Sequence, residues 1–206
     1  MDIRRLCLVW VLSASAVALA QEGRSDVSLS VLANLPRESQ GNALTIDSTN
    51  SGGGSAAYRL YFGTHSTAEV TYAFTRATYY YKLDESAVHG GIIGLNQLSN
   101  LHEITGQYVY RFWQEHRFKP FAFAGGGVII FKPVDTSSNT LFGATTQARG
   151  TALFGGGVDY PFKERFSFRA QCRLLTFKAP DFFGAGVTST SRMMHITPQI
   201  GVAYHF

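Results

Sequence analysis

The sequence predicts an all-β chain, an eight-stranded antiparallel up-and-down β-barrel that spans a membrane. Three observations carry the prediction. From Ile196 the even positions read Ile196, Pro198, Ile200, Val202, Tyr204 and Phe206, against His195, Thr197, Gln199, Gly201, Ala203 and His205 on the odd ones. That is a period-two strand with a greasy face and a polar or small face, and the chain stops on it. A soluble domain has little reason to end inside an amphipathic strand, whereas a closed barrel must pair its last strand with its first. The second observation is that connections alternate between tight and long. The third is that aromatic residues gather at the tight-turn ends.

The amino-terminus reads as an export signal. Arg4 and Arg5 form a short basic region, Leu6 to Leu12 is apolar, and Ala18-Leu19-Ala20 is a small-residue cleavage site before Gln21. This form is too short and wrongly flanked for a membrane helix, and it suits general secretion better than twin-arginine export. The expected organisation is therefore a signal peptide over 1–20 and one barrel domain over 21–206. Removing residues 1–20 takes away two Arg and one Asp, which leaves 16 basic and 13 acidic residues, about +3. A charge so small and scattered does not indicate a nucleic-acid partner. Cys7 leaves with the signal, so Cys172 stands alone and neither a disulfide nor a cysteine metal site is expected. No cofactor is expected either.

Period-two reading gives eight strands, near 26–33, 56–64, 67–80, 100–113, 118–132, 148–161, 165–177 and 193–206. Most reach the ~9–11 residues that a tilted strand needs to cross a bilayer, and no stretch after residue 20 approaches the ~18 apolar residues of a helix. Gly63-Thr64-His65-Ser66, Gln114-Glu115-His116-Arg117 and Phe162-Lys163-Glu164-Arg165 are tight turns. The links near 34–55, 81–99, 133–147 and 178–192 are long. Short turns on one side and long loops on the other are the pattern of a bacterial outer-membrane barrel, with both chain ends on the periplasmic side. Ser51-Gly52-Gly53-Gly54-Ser55 is expected in a flexible external loop. No Gly-Lys-Ser/Thr follows it, so it is no phosphate-binding loop.

Alternation alone fits a soluble lipocalin-type barrel as well. Charge at mid-strand on one face argues against that: Glu69 and Thr71; Glu103, Thr105, Gln107 and Arg111; Ser167, Arg169, Gln171 and Arg173. The opposite faces carry Val70, Tyr72 and Phe74; Ile104, Tyr108 and Tyr110; Phe166, Phe168 and Leu174. Phe62, Phe112, Trp113, Phe118, Tyr160, Phe162, Tyr204 and Phe206 would form one interfacial girdle. The fifth strand is less clean. If Phe121, Phe123, Ile129 and Phe131 face lipid, the lumen receives Pro120, Ala122, Ala124, Gly126 and Val128. A loop centred near residue 140 would then set Gly125-Gly126-Gly127 beside Gly155-Gly156-Gly157.

The sequence resembles the small outer-membrane β-barrel family, eight-stranded barrels like the transmembrane domain of outer-membrane protein A. The resemblance covers nearly all of residues 22–206. It rests on Lys119-Pro120-Phe121 followed by Gly125-Gly126-Gly127, on Ser167-Phe-Arg-Ala-Gln-Cys-Arg173, and on the ending Gly201-Val-Ala-Tyr-His-Phe206. It implies that Val202, Tyr204 and Phe206 form the signal read by the barrel-assembly machinery. No peptidoglycan-binding domain follows, so tethering to the wall is not expected.

The functional expectation is a monomeric, non-enzymatic protein with a structural or surface-interaction role through its long loops. A lumen network of Arg59, Glu69, Glu103, Gln107, Arg111, Asp159, Arg169, Gln171 and Arg173 is expected to plug the interior with ion pairs, because buried charge must be paired or wetted. Eight strands enclose room for side chains only. A low-conductance, porin-like pore is the first alternative. A lipid A-modifying enzyme is the second, with candidate parts Asp84, Glu85, Ser86, His89, His102, Glu103, Ser191 and His195. No spacing among these matches a nucleophile motif, and His65-Ser66 falls on a periplasmic turn. The loops are rich in Asn, Ser and Thr, with Phe182 and Phe183 at the outer interface. Outer-membrane lipid and lipopolysaccharide are the expected partners, with Lys82, Lys132, Lys178 and Arg192 as rim contacts to anionic phosphates.

Overall fold

A computed structural model describes residues 25–37, 39–41, 44–83, 94–136, 144–180 and 192–206. The expected signal peptide and the loop residues Asp84, Glu85, Ser86, His89, Phe182, Phe183 and Ser191 lie outside them. The strands are β1 (Ser25–Arg37), β2 (Ser39–Gly41), β3 (Leu44–Ser48), β4 (Ser51–Tyr61), β5 (Ser66–Leu83), β6 (Gly94–Arg111), β7 (Lys119–Pro133), β8 (Gln147–Lys163), β9 (Phe166–Lys178) and β10 (Arg192–His205). Eight of them form the wall in the order β1-β4-β5-β6-β7-β8-β9-β10, every neighbouring pair antiparallel. The wall closes where β10 pairs with β1, from Asp26 opposite His205 to Arg37 opposite Met194. The predicted eight-stranded barrel is the observed fold.

The first hairpin departs from expectation. The stretch 34–55 is not a loop: Ser51 to Ser55 lie in β4, opposite Asn34 to Ser30 of β1. On the other side Gly53, Gly54 and Ser55 pair with Thr75, Phe74 and Ala73 of β5. With ladders on both flanks, this glycine run is wall rather than flexible linker. Beyond it β3 continues along β5, from Ser48 opposite Tyr79 to Leu44 opposite Leu83, and β2 pairs with β3. The small β2–β3 hairpin thus extends the wall past the first pair of staves.

Alternation sets the two faces. Exposed apolar positions such as Leu29, Val31, Val70, Ile104, Phe154, Phe168 and Ile200 point outward. Their neighbours one residue away are buried and largely polar. Aromatic rings gather at the tight-turn end as predicted: Phe118 meets Tyr160 at 5.1 Å, Phe166 meets Tyr204 at 5.2 Å, and Tyr204 meets Phe206 at 5.2 Å.

The fifth stave, β7, is inverted relative to the expectation. Phe121, Phe123, Ile129 and Phe131 are all buried in the lumen, and Ala122 and Ala124 face outward. The two glycine triplets do not meet either. Gly125 to Gly127 lie opposite Leu153 to Thr151, and Gly157 to Gly155 lie opposite Phe121 to Phe123. The reason is steric. A Cβ on Gly155 would stand 2.7 Å from the Phe123 ring, and one on Gly157 would stand 2.6 Å from the Phe121 ring and 2.4 Å from the Ala170 carbonyl oxygen. The glycines of one stave make room for the inward phenyl rings of the next. By contrast, a Cβ on Gly150 would meet nothing within 4 Å. Gly157→Val is therefore expected to destabilise the barrel by about 1–3 kcal/mol through overpacking. Gly150→Ala should stay near wild type. Urea unfolding from liposomes checks both.

Candidate functional site

Among the described residues the lumen gathers the largest set of charged and polar side chains, and it is layered. Toward the tight-turn mouth lies an ion cluster built from five staves. Arg59 of β4 pairs with Glu69 of β5 and, at 3.0 Å, with Asp159 of β8. Arg169 of β9 binds Asp159 at 2.7 Å and Asp26 of β1 at 2.9 Å. Gln107 donates to Glu69, Tyr61 donates to Asp26, and Ser28 accepts from Arg169 at 3.1 Å. Arg59 is fully buried, and its guanidinium lies 4.3 Å over the Phe121 ring. Two cations and three carboxylates thus occupy the cross-section, held by hydrogen bonds that run from wall to wall.

The middle layer is polar. Arg173 of β9 pairs with Glu103 of β6 and donates to Thr105 at 3.0 Å. Gln171 donates to Gln199 of β10 at 2.8 Å. Above it, toward the long connections, the lumen turns apolar. Tyr79, Tyr81, Leu101, Phe131, Phe177 and Met193 belong to one buried cluster. His195 is sealed beneath it, 3% exposed, with its ring 4.7 Å edge-on from Phe177. Beside His195, Thr197 and Glu103 sits a cavity of only about 20 Å³, room for about one water.

Of the predicted network, Arg59, Glu69, Gln107, Asp159 and Arg169 come together in one cluster. Glu103 with Arg173 forms a separate pair, and Gln171 joins Gln199. Arg111 does not join the plug. It lies at the tight-turn mouth, 4.3 Å over the Tyr61 ring, and donates to the Gly63 and Thr64 carbonyls at 3.1 and 2.8 Å. Asp26 and Tyr61 were missed by the sequence reading, although their parity with Ser28 and Arg59 marks them as inward.

The tight-turn mouth opens into a cup of about 530 Å³, walled by Tyr61, Arg111, Lys119, Lys163, Ser167 and His205 among others. It contains an order of residues that resembles nucleophilic catalysis: Ser167 Oγ lies 2.9 Å from His205 Nε2, and His205 Nδ1 lies 3.8 Å from Asp26 Oδ2. The chemistry does not follow from the order. The second distance is beyond a hydrogen bond. Asp26 already serves Arg169 and Tyr61, and Ser167 is 1% exposed. The trio is a satisfied wall contact.

The parts expected for lipid A chemistry are also divided. His102 is on the outer face, bonded to Tyr72 at 2.8 Å, whereas Glu103 and His195 are inside the wall. No group of three or more His, Cys, Asp or Glu suited to a metal occurs among the described residues.

A closed wall whose exterior is apolar requires hydrocarbon as its solvent. The same architecture recurs in solved structures. Outer-membrane protein OprG of Pseudomonas aeruginosa superposes with a TM-score of 0.60 at 13% identity, over 90% of this chain and 97% of that one. The fold is that of the small outer-membrane β-barrels. Neisserial surface protein A matches with a TM-score of 0.53 at 15% identity, over 88% and 97% of the two chains. Ail, the attachment invasion locus protein of Yersinia pestis, solved with the heparin analogue sucrose octasulfate, matches with a TM-score of 0.52 at 14% identity, over 90% and 100%. No family model matches the sequence, and no curated protein does. The exposed apolar belt of this wall suits it to the hydrocarbon of a membrane.

The ion cluster is strongly interdependent. Arg169→Met strips Asp26 of its cation and leaves Arg59 alone against three buried carboxylates, Asp26, Glu69 and Asp159, and is expected to cost about 3–5 kcal/mol. Adding Asp26→Asn and Asp159→Asn should recover much of that loss. Unfolding free energies of the single, double and triple variants in liposomes measure the coupling.

Proposed function

We propose that this protein is a non-enzymatic, monomeric outer-membrane barrel whose role is structural or surface-interactive, with no through-passage for solutes. One observation carries the reading: beyond the cup at the tight-turn mouth the lumen is blocked, first by salt-bridged side chains and then by packed aromatic and aliphatic side chains. A narrow barrel packed in this way has spent its interior on its own stability. Its points of contact with the surroundings are then the lipid-facing belt and the long connections. In this reading outer-membrane lipid and lipopolysaccharide surround the protein, and the barrel-assembly machinery inserts it. Val202 and Tyr204 on the outer face, with terminal Phe206, are suited to be read during that insertion.

Catalysis is disfavoured by the same geometry, since each histidine of the described candidates is either lipid-facing or sealed. Planar-bilayer recording tests the sealed lumen. The wild type is expected to give no steady conductance. Arg59→Ala with Arg169→Ala, which hollows the charged layer, should leave the barrel closed to ions, because the apolar layer remains. Sustained, sizeable single-channel currents from the wild type would favour the pore instead. Lipid A mass spectrometry of cells with and without the protein addresses the enzyme alternative: an unchanged profile is expected.

A further inference from the structure

On the outer face, the apolar belt ends in cations. Counting from the tight-turn end, β5 presents Ala68, Val70, Tyr72 and Phe74 and then Arg76, and β7 presents Ala122 through Ile130 and then Lys132. Between them on β6, Ile104 is followed by His102 and Asn100. Register places Arg76, Asn100 and Lys132 in one row across three neighbouring staves. Strands lie about 4.8 Å apart, so the backbones of the two cations are on the order of 10 Å apart with Asn100 between them. Long side chains converge easily across that gap.

The patch is fixed by its own contacts. Arg76 Nε donates to Asn100 Oδ1 at 2.7 Å, which holds the guanidinium over the row and leaves its terminal nitrogens to other acceptors. One row nearer the belt, the Tyr72 hydroxyl and His102 Nδ1 lie 2.8 Å apart, and the imidazole packs 5.3 Å from the Phe74 ring. With that hydroxyl as donor, Nε2 carries the ring proton and is a further donor. No Asp or Glu stands on the outward parity of β4, β5, β6, β7 or β8, and Asp47 of β3 pairs farther along β5, opposite Tyr80. The patch is rich in donors, cationic, and stands directly above Phe74, Ile104 and Ile130.

The geometry points to a binding site for the phosphate of a phosphorylated glycolipid of the outer leaflet, with Arg76 and Lys132 as its charged contacts, Asn100 and His102 as polar ones, and the acyl chains along Phe74, Ile104 and Ile130. The inference rests on outer-membrane residence, and it deepens the expectation of lipopolysaccharide contact at the rim. Of the four cations expected there, it uses Lys132 alone and adds Arg76. Lys178 and Arg192 lie opposite each other on β9 and β10, on another flank. Lys82 lies farther along β5, beyond Tyr80.

The test uses the folded barrel in phosphatidylcholine nanodiscs, with bisphosphorylated lipid A, its monophosphoryl form and inorganic phosphate as probes, read by native mass spectrometry. The wild type is expected to retain bisphosphorylated lipid A. Arg76→Gln with Lys132→Gln should weaken retention roughly thirtyfold, as the loss of two interfacial cations implies. The flank control Arg37→Gln with Lys178→Gln should change it by less than about threefold. Inorganic phosphate should not displace the lipid. The site is overturned if the first pair, shown folded by heat-modifiable migration, retains lipid A as the wild type does. It is overturned equally if both pairs lose it alike, which reduces the patch to a uniform charged rim, or if inorganic phosphate displaces it. Failure of the wild type to insert would instead overturn the membrane reading beneath the site.

Discussion

A strand in hydrocarbon has no water to satisfy its amides and carbonyls, so every one of them must find a partner in the next strand. The rest of this molecule follows from that requirement. Closure of β10 on β1 removes the last open edge and fixes a ladder from Asp26–His205 to Arg37–Met194. Once closed, the wall has only two faces, and a shift of one residue in register would exchange them. Leu29, Val31 and Ile200 must therefore be outside if Ser28, Ser30 and Gln199 are inside. The same rule delivers Arg59, Asp159 and Arg169 to the lumen without regard to cost.

That cost is met inside the wall. A guanidinium removed from water is tolerated only where carboxylates and hydrogen bonds replace the hydration it lost. Arg169 illustrates the solution: it reaches Asp159 on the neighbouring stave and Asp26 across the interior, so one side chain braces three staves. Toward the long connections the lumen uses the opposite device, packing aromatic rings against aliphatic chains. The two layers make most of the interior a packed core, and the proposed role rests on that packing.

Much of this was legible in the sequence. Seven of the eight staves show polar against apolar alternation, or carry charges whose parity fixes the face. Tight turns such as Gly63–Ser66 marked which end of each stave lies at the same mouth of the barrel. The fifth stave failed for a physical reason: between Lys119 and Lys132 near its ends both faces are uncharged, one with Phe121, Phe123, Ile129 and Phe131 and the other mostly with Ala, Gly and Val. Hydrophobicity cannot choose between them, but volume can. The lumen beside Gly155 and Gly157 needed large rings, and the lipid accepts small residues at no packing cost. The glycine run at 51–55 failed because glycine and serine signal a loop unless both flanking strands are known to pair with it. Asp26 was passed over because it stands at the very start of the first stave, and Arg111 was placed in the plug because parity does not report height along the barrel.

The central claim is that the odd and even faces of the staves meet different solvents, lumen and lipid. Cys172 reports on this without any substitution in the wall. It lies mid-stave on β9, between Gly156 and Pro198, and is exposed on the outer face. The chain from residue 21, refolded into liposomes and labelled with a bimane at Cys172, should fluoresce as a probe in hydrocarbon. Its emission should be quenched by lipids brominated along their acyl chains and ignored by aqueous iodide. Strong iodide quenching with no effect of brominated lipid would place that face in water and contradict the account.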